Sequence, residues 1–215
     1  SVIGTWVQSN GTTQPVRETM WDERYDTPDY VFGEQPCRWL LMNKDRIPTA
    51  GRALALGDGE GRNGVYLASL GLDVTSVDLS AVGLGKAQQL ATRRNVSIET
   101  VHADLADYIP EANVFDLVCS IYTHLPSPLR ETVHQRVEAA LQPGGLFIME
   151  AFHHMQLNKP SGGPKTIDLL YRLEDLLSDF REMRILDAFE GQTALDEGPR
   201  HQGLGQVVRL VLEKQ

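Results

Sequence analysis

Apolar residues along the chain fall into short continuous runs, and between the runs lie stretches whose apolar positions recur at helical spacing. Residues 53–56 (Ala-Leu-Ala-Leu) are too short and too closely bounded by glycine for a helix, so they predict a buried strand. Residues 62–70 follow with Val65, Leu67, Ala68 and Leu70 near helical spacing. The alternation continues with a strand over 72–78, a helix over 81–94, strands over 96–102 and 115–121, a helix over 128–141 and a strand over 146–152. Strands separated by helices imply parallel pairing through crossovers. The tail breaks the rhythm: a helix around 169–180 precedes two extended segments, 182–188 and 207–213, with only a loop between them, which predicts a terminal antiparallel hairpin. Residues 1–19 show no clear periodicity and predict a mobile or appended arm before a single domain over 20–215. Between Tyr25 and Arg38, turn formers alternate with Tyr30, Val31 and Phe32, as in an ordered loop, so residues 20–45 are expected to act as a lid.

The first strand runs straight into Gly57, Gly59 and Gly61. Lacking Cβ atoms, these residues let the chain turn sharply and bring its amides against a ligand, and the first turn of the next helix offers unpaired N–H groups at the same place. Gly59, Gly61 and Gly64 also satisfy the G-x-G-x-x-G pattern of dinucleotide-binding folds, which keeps a NAD(P)-dependent oxidoreductase in view. In that pattern the first glycine ends the strand, whereas here Gly57 does so and the register becomes G-x-G-x-G. Asp78 closes the second strand about twenty residues further on, where doubly wound folds place an acid against ribose hydroxyls. Its rival role, capping the next helix, falls more naturally to Ser80. Asp104 follows the third strand, where it can accept from an exocyclic adenine amine or cap a turn.

The blocks Ala-Leu-Gly-Asp-Gly-Glu-Gly-Arg-Asn (55–63), Val-Asp-Leu-Ser (77–80), His-Ala-Asp-Leu (102–105) and Leu-Gln-Pro-Gly-Gly-Leu-Phe (141–147) resemble the successive motifs of class I S-adenosylmethionine-dependent methyltransferases. The resemblance spans roughly residues 21–213. The Gly-Glu-Gly-Arg-Asn block, Trp-Asp-Glu-Arg-Tyr at 21–25 and Gly-Gly-Pro-Lys at 162–165 narrow it to the tellurite-resistance type, related to thiopurine methyltransferases. It implies a Rossmann-like, doubly wound α/β fold with a mostly parallel seven-stranded sheet, and S-adenosylmethionine as cofactor. It further implies that Gly57, Gly59 and Gly61 line the methionine and ribose portions, that Asp78 binds the ribose hydroxyls and Leu79 covers adenine. Asp104 with Leu105 would read the adenine edge, and Ser120 and Ile121 would lie near the methionine amine. The family usually carries an acid where this chain has Ala55, and Asp58 is the expected substitute. The same departure keeps a non-catalytic S-adenosylmethionine-binding protein among the alternatives.

A sulfonium donor is already activated, so the protein must hold a nucleophile in line and exclude water. A protonated acceptor also needs a base, whereas an oxyanion needs cationic or hydrogen-bonding orienters. His124, just beyond the fourth strand, occupies the carboxyl end where open sheets bind ligands, and is the leading candidate for a substrate-facing group, with Tyr122 beside it. Arg200 and His201, between the last two strands, suit an oxyanion. Lys165, and Arg24 and Tyr30 of the lid, are candidate contacts by the same family analogy. The favoured acceptor is a small molecule with a soft nucleophile, either a thiol or a metalloid oxyanion such as tellurite or selenite. His153 and His154 are adjacent in a strand and point to opposite faces, a poor metal pair, so no metal is expected.

Composition narrows the field. At 215 residues and 41% hydrophobic content the chain can fill one substantial core. A formal charge of −9 opposes binding to phosphate backbones, and the densest basic cluster, Arg93-Arg94, sits at a predicted helix end where cations are favoured anyway. No apolar run reaches the roughly twenty residues of a membrane span, and the first residues lack the pattern of a secretory signal, so a soluble cytoplasmic protein is expected. Cys37 and Cys119 are too few for a disulfide framework and read as core residues. Oligomeric state leaves no mark in the sequence.

Overall fold

The computed structural model describes residues 6–9 and 12–215. Its centre is a seven-stranded sheet built from β3 (Arg52–Leu56), β4 (Asp73–Asp78), β5 (Glu99–His102), β6 (Phe115–Ile121), β7 (Leu141–Phe152), β8 (Arg184–Asp196) and β9 (Gln202–Glu213). The spatial order is β5-β4-β3-β6-β7-β9-β8, parallel as far as β7, with β9 antiparallel to both β7 and β8. This is the expected seven-stranded, mostly parallel sheet with a terminal hairpin.

Alternation along the central strands divides the core into two layers. Leu54, Leu56, Val118, Phe147 and Met149 pack beneath α5 (Ser127–Ala140) and α6 (Leu173–Asp179). Ala53, Ala55, Cys119, Ile148 and Val211 face the other way, in one cluster with Trp39 and Leu40 of α2 (Arg38–Met42), Val65 and Leu67 of α3 (Arg62–Ser69), and Leu90 of α4 (Ala81–Arg93). Ser80 caps α4 by accepting from the Gly83 N–H at 3.0 Å, as its position predicts.

Three expectations need correction. The third strand begins at Glu99 instead of 96, because Asn95 turns left-handed (φ 57°) and the Val96 N–H closes the end of α4 on Ala91 O. The helix expected over 169–180 is interrupted: Tyr171 lies extended beside His153, and α6 starts only at Leu173. The terminal strands are far longer than their apolar portions, since β8 runs on through exposed polar residues to Asp196, and only residues 197–201 are left as a turn. Within the arm, β1 (Trp6–Ser9) and β2 (Thr12–Pro15) pair antiparallel and lead into α1 (Val16–Tyr25). Residues 1–5 and 10–11 of the arm lie outside the described residues. No helix among the described residues is long and apolar enough to cross a membrane.

Candidate active site

The carboxyl ends of β3, β4 and β6 converge on the glycine turn. Gly57, Gly59 and Gly61 all adopt positive φ (58°, 53° and 88°), a conformation that strains any residue with a Cβ. At Gly61 a Cβ would come within 2.5 Å of the Ala87 Cβ, so this glycine also lets α3 and α4 approach. Asp78 is buried at the end of β4 and accepts from the Gly59 N–H and the Ser80 N–H, both at 2.9 Å. It thereby ties the glycine turn to the end of β4. Burial, only partly countered by those two amides, raises its pKa to about 6, so its carboxylate is short of donors. Leu79 beside it is half-buried, and Ser120 and Ile121 are buried at the end of β6.

Asp58 does not take the place of the acid missing at Ala55. Its oxygens accept from the Gly64 N–H at 3.2 Å and the Ser76 hydroxyl at 2.7 Å, beneath α3 and away from the cradle. Burial pushes its pKa to about 7. A carboxyl with a higher pKa in the fold than in the unfolded chain stabilises at low pH, and that contribution is lost as pH rises through the folded value. Asp58→Asn keeps an acceptor for Gly64 and can donate to Ser76. Between about pH 4 and 7.5 the melting temperature of the natural protein is therefore expected to fall relative to this variant, and to run parallel to it above that range; parallel melting curves from about pH 4 to 7.5 would clear Asp58 of the effect. Asp104 turns out to be a cap: it accepts from the Ala106 N–H at 2.9 Å, and Leu105 is buried in the core.

A strap consisting of α1 and residues 26–37 crosses the cradle. Tyr25 is buried, and its hydroxyl lies 2.5 Å from where a Cβ on Gly59 would project; its ring stacks on Trp21 and meets Phe32 edge-on. The polar residues between the glycines fasten the strap. Glu60 accepts from the Val31 and Phe32 N–H groups at 3.0 and 3.3 Å and pairs with Lys86 at 2.5 Å. Arg62 donates to Gln35 O, and Asn63 Oδ1 accepts from the Cys37 N–H at 2.7 Å. Residues 31–37 are thus fastened to the residues between and after the glycines. Tyr30 and Arg24, however, do not point inward: the Tyr30 hydroxyl donates to Lys86 O at 2.8 Å, and Arg24 is exposed over the Trp21 ring.

Beyond β6 the chain turns sharply at Tyr122, a non-glycine residue at φ 50°. Thr123 Oγ1 donates to Leu56 O at 3.1 Å and fills the space a Cβ on Gly57 would need, while Tyr171 braces the turn by accepting from the Leu125 N–H and donating to Thr123 O. His124 and His201 are brought to one aromatic cluster. His124 lies 5.7 Å from the Phe152 ring and 5.4 Å from Tyr171; His201 lies 4.8 Å from Tyr122 and Phe32 and 5.0 Å from Phe152. His124 Nδ1 contacts Leu169 O at 2.7 Å, and a carbonyl can only accept, so Nδ1 carries the proton and Nε2 is the bare acceptor. That Nε2 is buried without a partner, as is His201 Nδ1. Burial lowers the two imidazoles to about 4 and about 3.

Cations do not gather where the sequence suggested. Arg200 and Lys165 are exposed, the first because the hairpin turn is so short that it projects outward. Two buried guanidiniums lie nearby, Arg62, 2.5 Å from Glu197, and Arg209, whose Nε donates to Glu150; a third, Arg130 of α5, pairs with Asp179 of α6. Glu150 is wholly buried and also accepts from the Tyr122 hydroxyl and, at 3.7 Å, the Cys37 thiol. Cys37, Glu150 and Glu197 present atoms within 4.8 Å of one another, but each carboxylate already holds a guanidinium. His153 and His154 are engaged separately, with Glu190 and Arg172. Sequence reasoning passed over Glu150 and Arg209, although a lone charge within each of two apolar strands was the available signal.

Residues 53–145, which carry the glycine turn, Asp78 and the turn after β6, match the methyltransferase domain family. This segment is a methyltransferase domain. The chain is 32% identical over 126 residues to an uncharacterized methyltransferase of Synechocystis sp., and the match spans 57% of each, a little over half the relative's length. The likeness in fold extends further than the family match. A protein solved in work on the conversion of a disulfide bond into a thioacetal group during echinomycin biosynthesis superposes with a TM-score of 0.72 at 18% identity, covering 92% of this chain and 91% of that one. TehB from Haemophilus influenzae gives 0.69 at 19% identity, covering 93% and 67%. At such identities these likenesses establish the fold alone.

Proposed function

We propose that the protein is an S-adenosylmethionine-dependent methyltransferase acting on a small acceptor with a soft nucleophile, of the tellurite-resistance and thiopurine methyltransferase type. The observation that carries this reading is the turn of three left-handed glycines tied by its Gly59 amide to the buried Asp78 carboxylate, with a buried, unpartnered imidazole nitrogen on His124 after the neighbouring strand. The residues fit the cofactor: the cradle excludes Cβ atoms, and Asp78 has lone pairs left for ribose hydroxyls after accepting two amides. When bound, S-adenosylmethionine supplies a methyl group already activated on a sulfonium. The chain supplies position and dryness: Tyr25 and Phe32 cover the cradle, and Tyr122, Phe152 and His201 wall the acceptor side. His124 Nε2 takes the proton of a protonated acceptor such as a thiol. The lack of an unpaired buried cation among the described residues of this cluster favours a thiol over a metalloid oxyanion.

Calorimetric titration tests the reading. S-adenosylhomocysteine is expected to bind and NADH to give no heat. The reverse result would make the protein a nicotinamide enzyme, and silence for both would end the assignment.

A further inference from the structure

Glu150 stands where three elements meet. Its carboxylate accepts from Arg209 of β9, from the Tyr122 hydroxyl at the turn after β6 and from the Cys37 thiol at the end of the strap. It is wholly buried, in a strand otherwise apolar from Leu146 to Phe152, and it is the cross-strand partner of Arg209 on one side and of Ile121 on the other. Tyr122 leads directly into Thr123, which occupies the space next to Gly57. The Glu150 and Arg209 pair therefore lies one turn of chain away from the cradle, on the same face of the sheet as Ala55.

Resting on the cofactor assignment above, we infer that Glu150 sets the charge of the methyl-transfer site: by neutralising Arg209 and holding the Tyr122 phenol, it allows a cationic donor to bind in a chain that has alanine at position 55. A buried guanidinium left without its carboxylate would repel a sulfonium through a medium of low dielectric, and would have far less effect on the neutral thioether that remains after transfer. The pair thus governs discrimination between the two forms of the cofactor. The second buried pair, Arg62 with Glu197, is internally balanced and leaves the sign of this effect to Glu150 and Arg209.

The test measures dissociation constants for S-adenosylmethionine and S-adenosylhomocysteine by calorimetry, with no acceptor present. For Glu150→Gln the preference for the methylated form is expected to drop by about tenfold or more, as one uncompensated charge acting through a medium of low dielectric implies. Arg209→Gln, measured at a pH high enough to keep the unpaired Glu150 ionised, is expected to move the ratio in the opposite direction, and the double variant to return it towards the natural value. If Glu150→Gln does not fold, the opposite shift in Arg209→Gln and its reversal in the double variant carry the test. Equal weakening of both ligands, or ratios that ignore the sign of the charge removed, would show a merely structural pair and overturn the inference. Failure of the natural protein to bind either ligand would instead overturn the cofactor assignment itself.

Discussion

His124→Ala is expected to lower turnover by about 10²–10⁴-fold, the range associated with a positioned general base, while leaving affinity for S-adenosylhomocysteine nearly unchanged. The expectation rests on the Leu169 carbonyl, which fixes the proton on Nδ1 and leaves Nε2 as a buried acceptor facing no protein donor. Burial holds the ring near a pKa of 4. A histidine depressed in this way is neutral at every pH well above 4, so no inflection from His124 is expected in kcat/KM between pH 5.5 and 8. So weak a base suffices for a thiol because the sulfur becomes strongly acidic as the methyl group arrives. Steady-state rates and calorimetry on the same preparation decide the matter: equal loss of turnover and cofactor affinity would mark His124 as a brace for the turn.

Asp78→Ala is expected to weaken S-adenosylhomocysteine binding by about 1–3 kcal/mol, the range for losing a charged hydrogen-bond acceptor. Two losses act together. The ribose acceptor disappears, and the buried Gly59 and Ser80 N–H groups lose their partner, loosening the cradle. Asp78→Asn retains one acceptor oxygen and is expected to fall between the alanine variant and the natural protein. Because the free carboxyl titrates near 6, affinity in the natural protein is also expected to decline as pH falls below that value. A dissociation constant unmoved by the alanine substitution would take Asp78 out of the site.

These sites differ in how plainly they are written in the sequence. The cradle was legible because everything it needs is local: a short apolar run, three glycines and an acid at the end of the next strand. Asp58 was misread, because only the fold reveals Ser76 and the Gly64 amide beneath α3. Arg200 was misplaced for a related reason. Residues 189–196, with Glu190, Gly191, Gln192, Thr193 and Asp196 among them, look like loop, yet they form strand at the edge of the sheet, and this leaves Arg200 at an exposed tip. Glu60, Arg62 and Asn63 were visible as a motif, but their task of fastening residues 31–37 depends on contacts some 26 to 29 positions distant. The pairing of Glu150 with Arg209 depends on strand register, which periodicity alone does not give.

The alternation of glycines with strap-binding residues has a mechanical consequence. The floor that receives a ligand and the clasps that keep the roof shut are successive residues of one turn, so neither can shift without straining the other. On the proposed function, release of the spent donor is then expected to wait on unclasping. Amide hydrogens of residues 57–64 and 30–37 would consequently exchange with deuterium as one cooperative unit, and slow together when the cavity is filled.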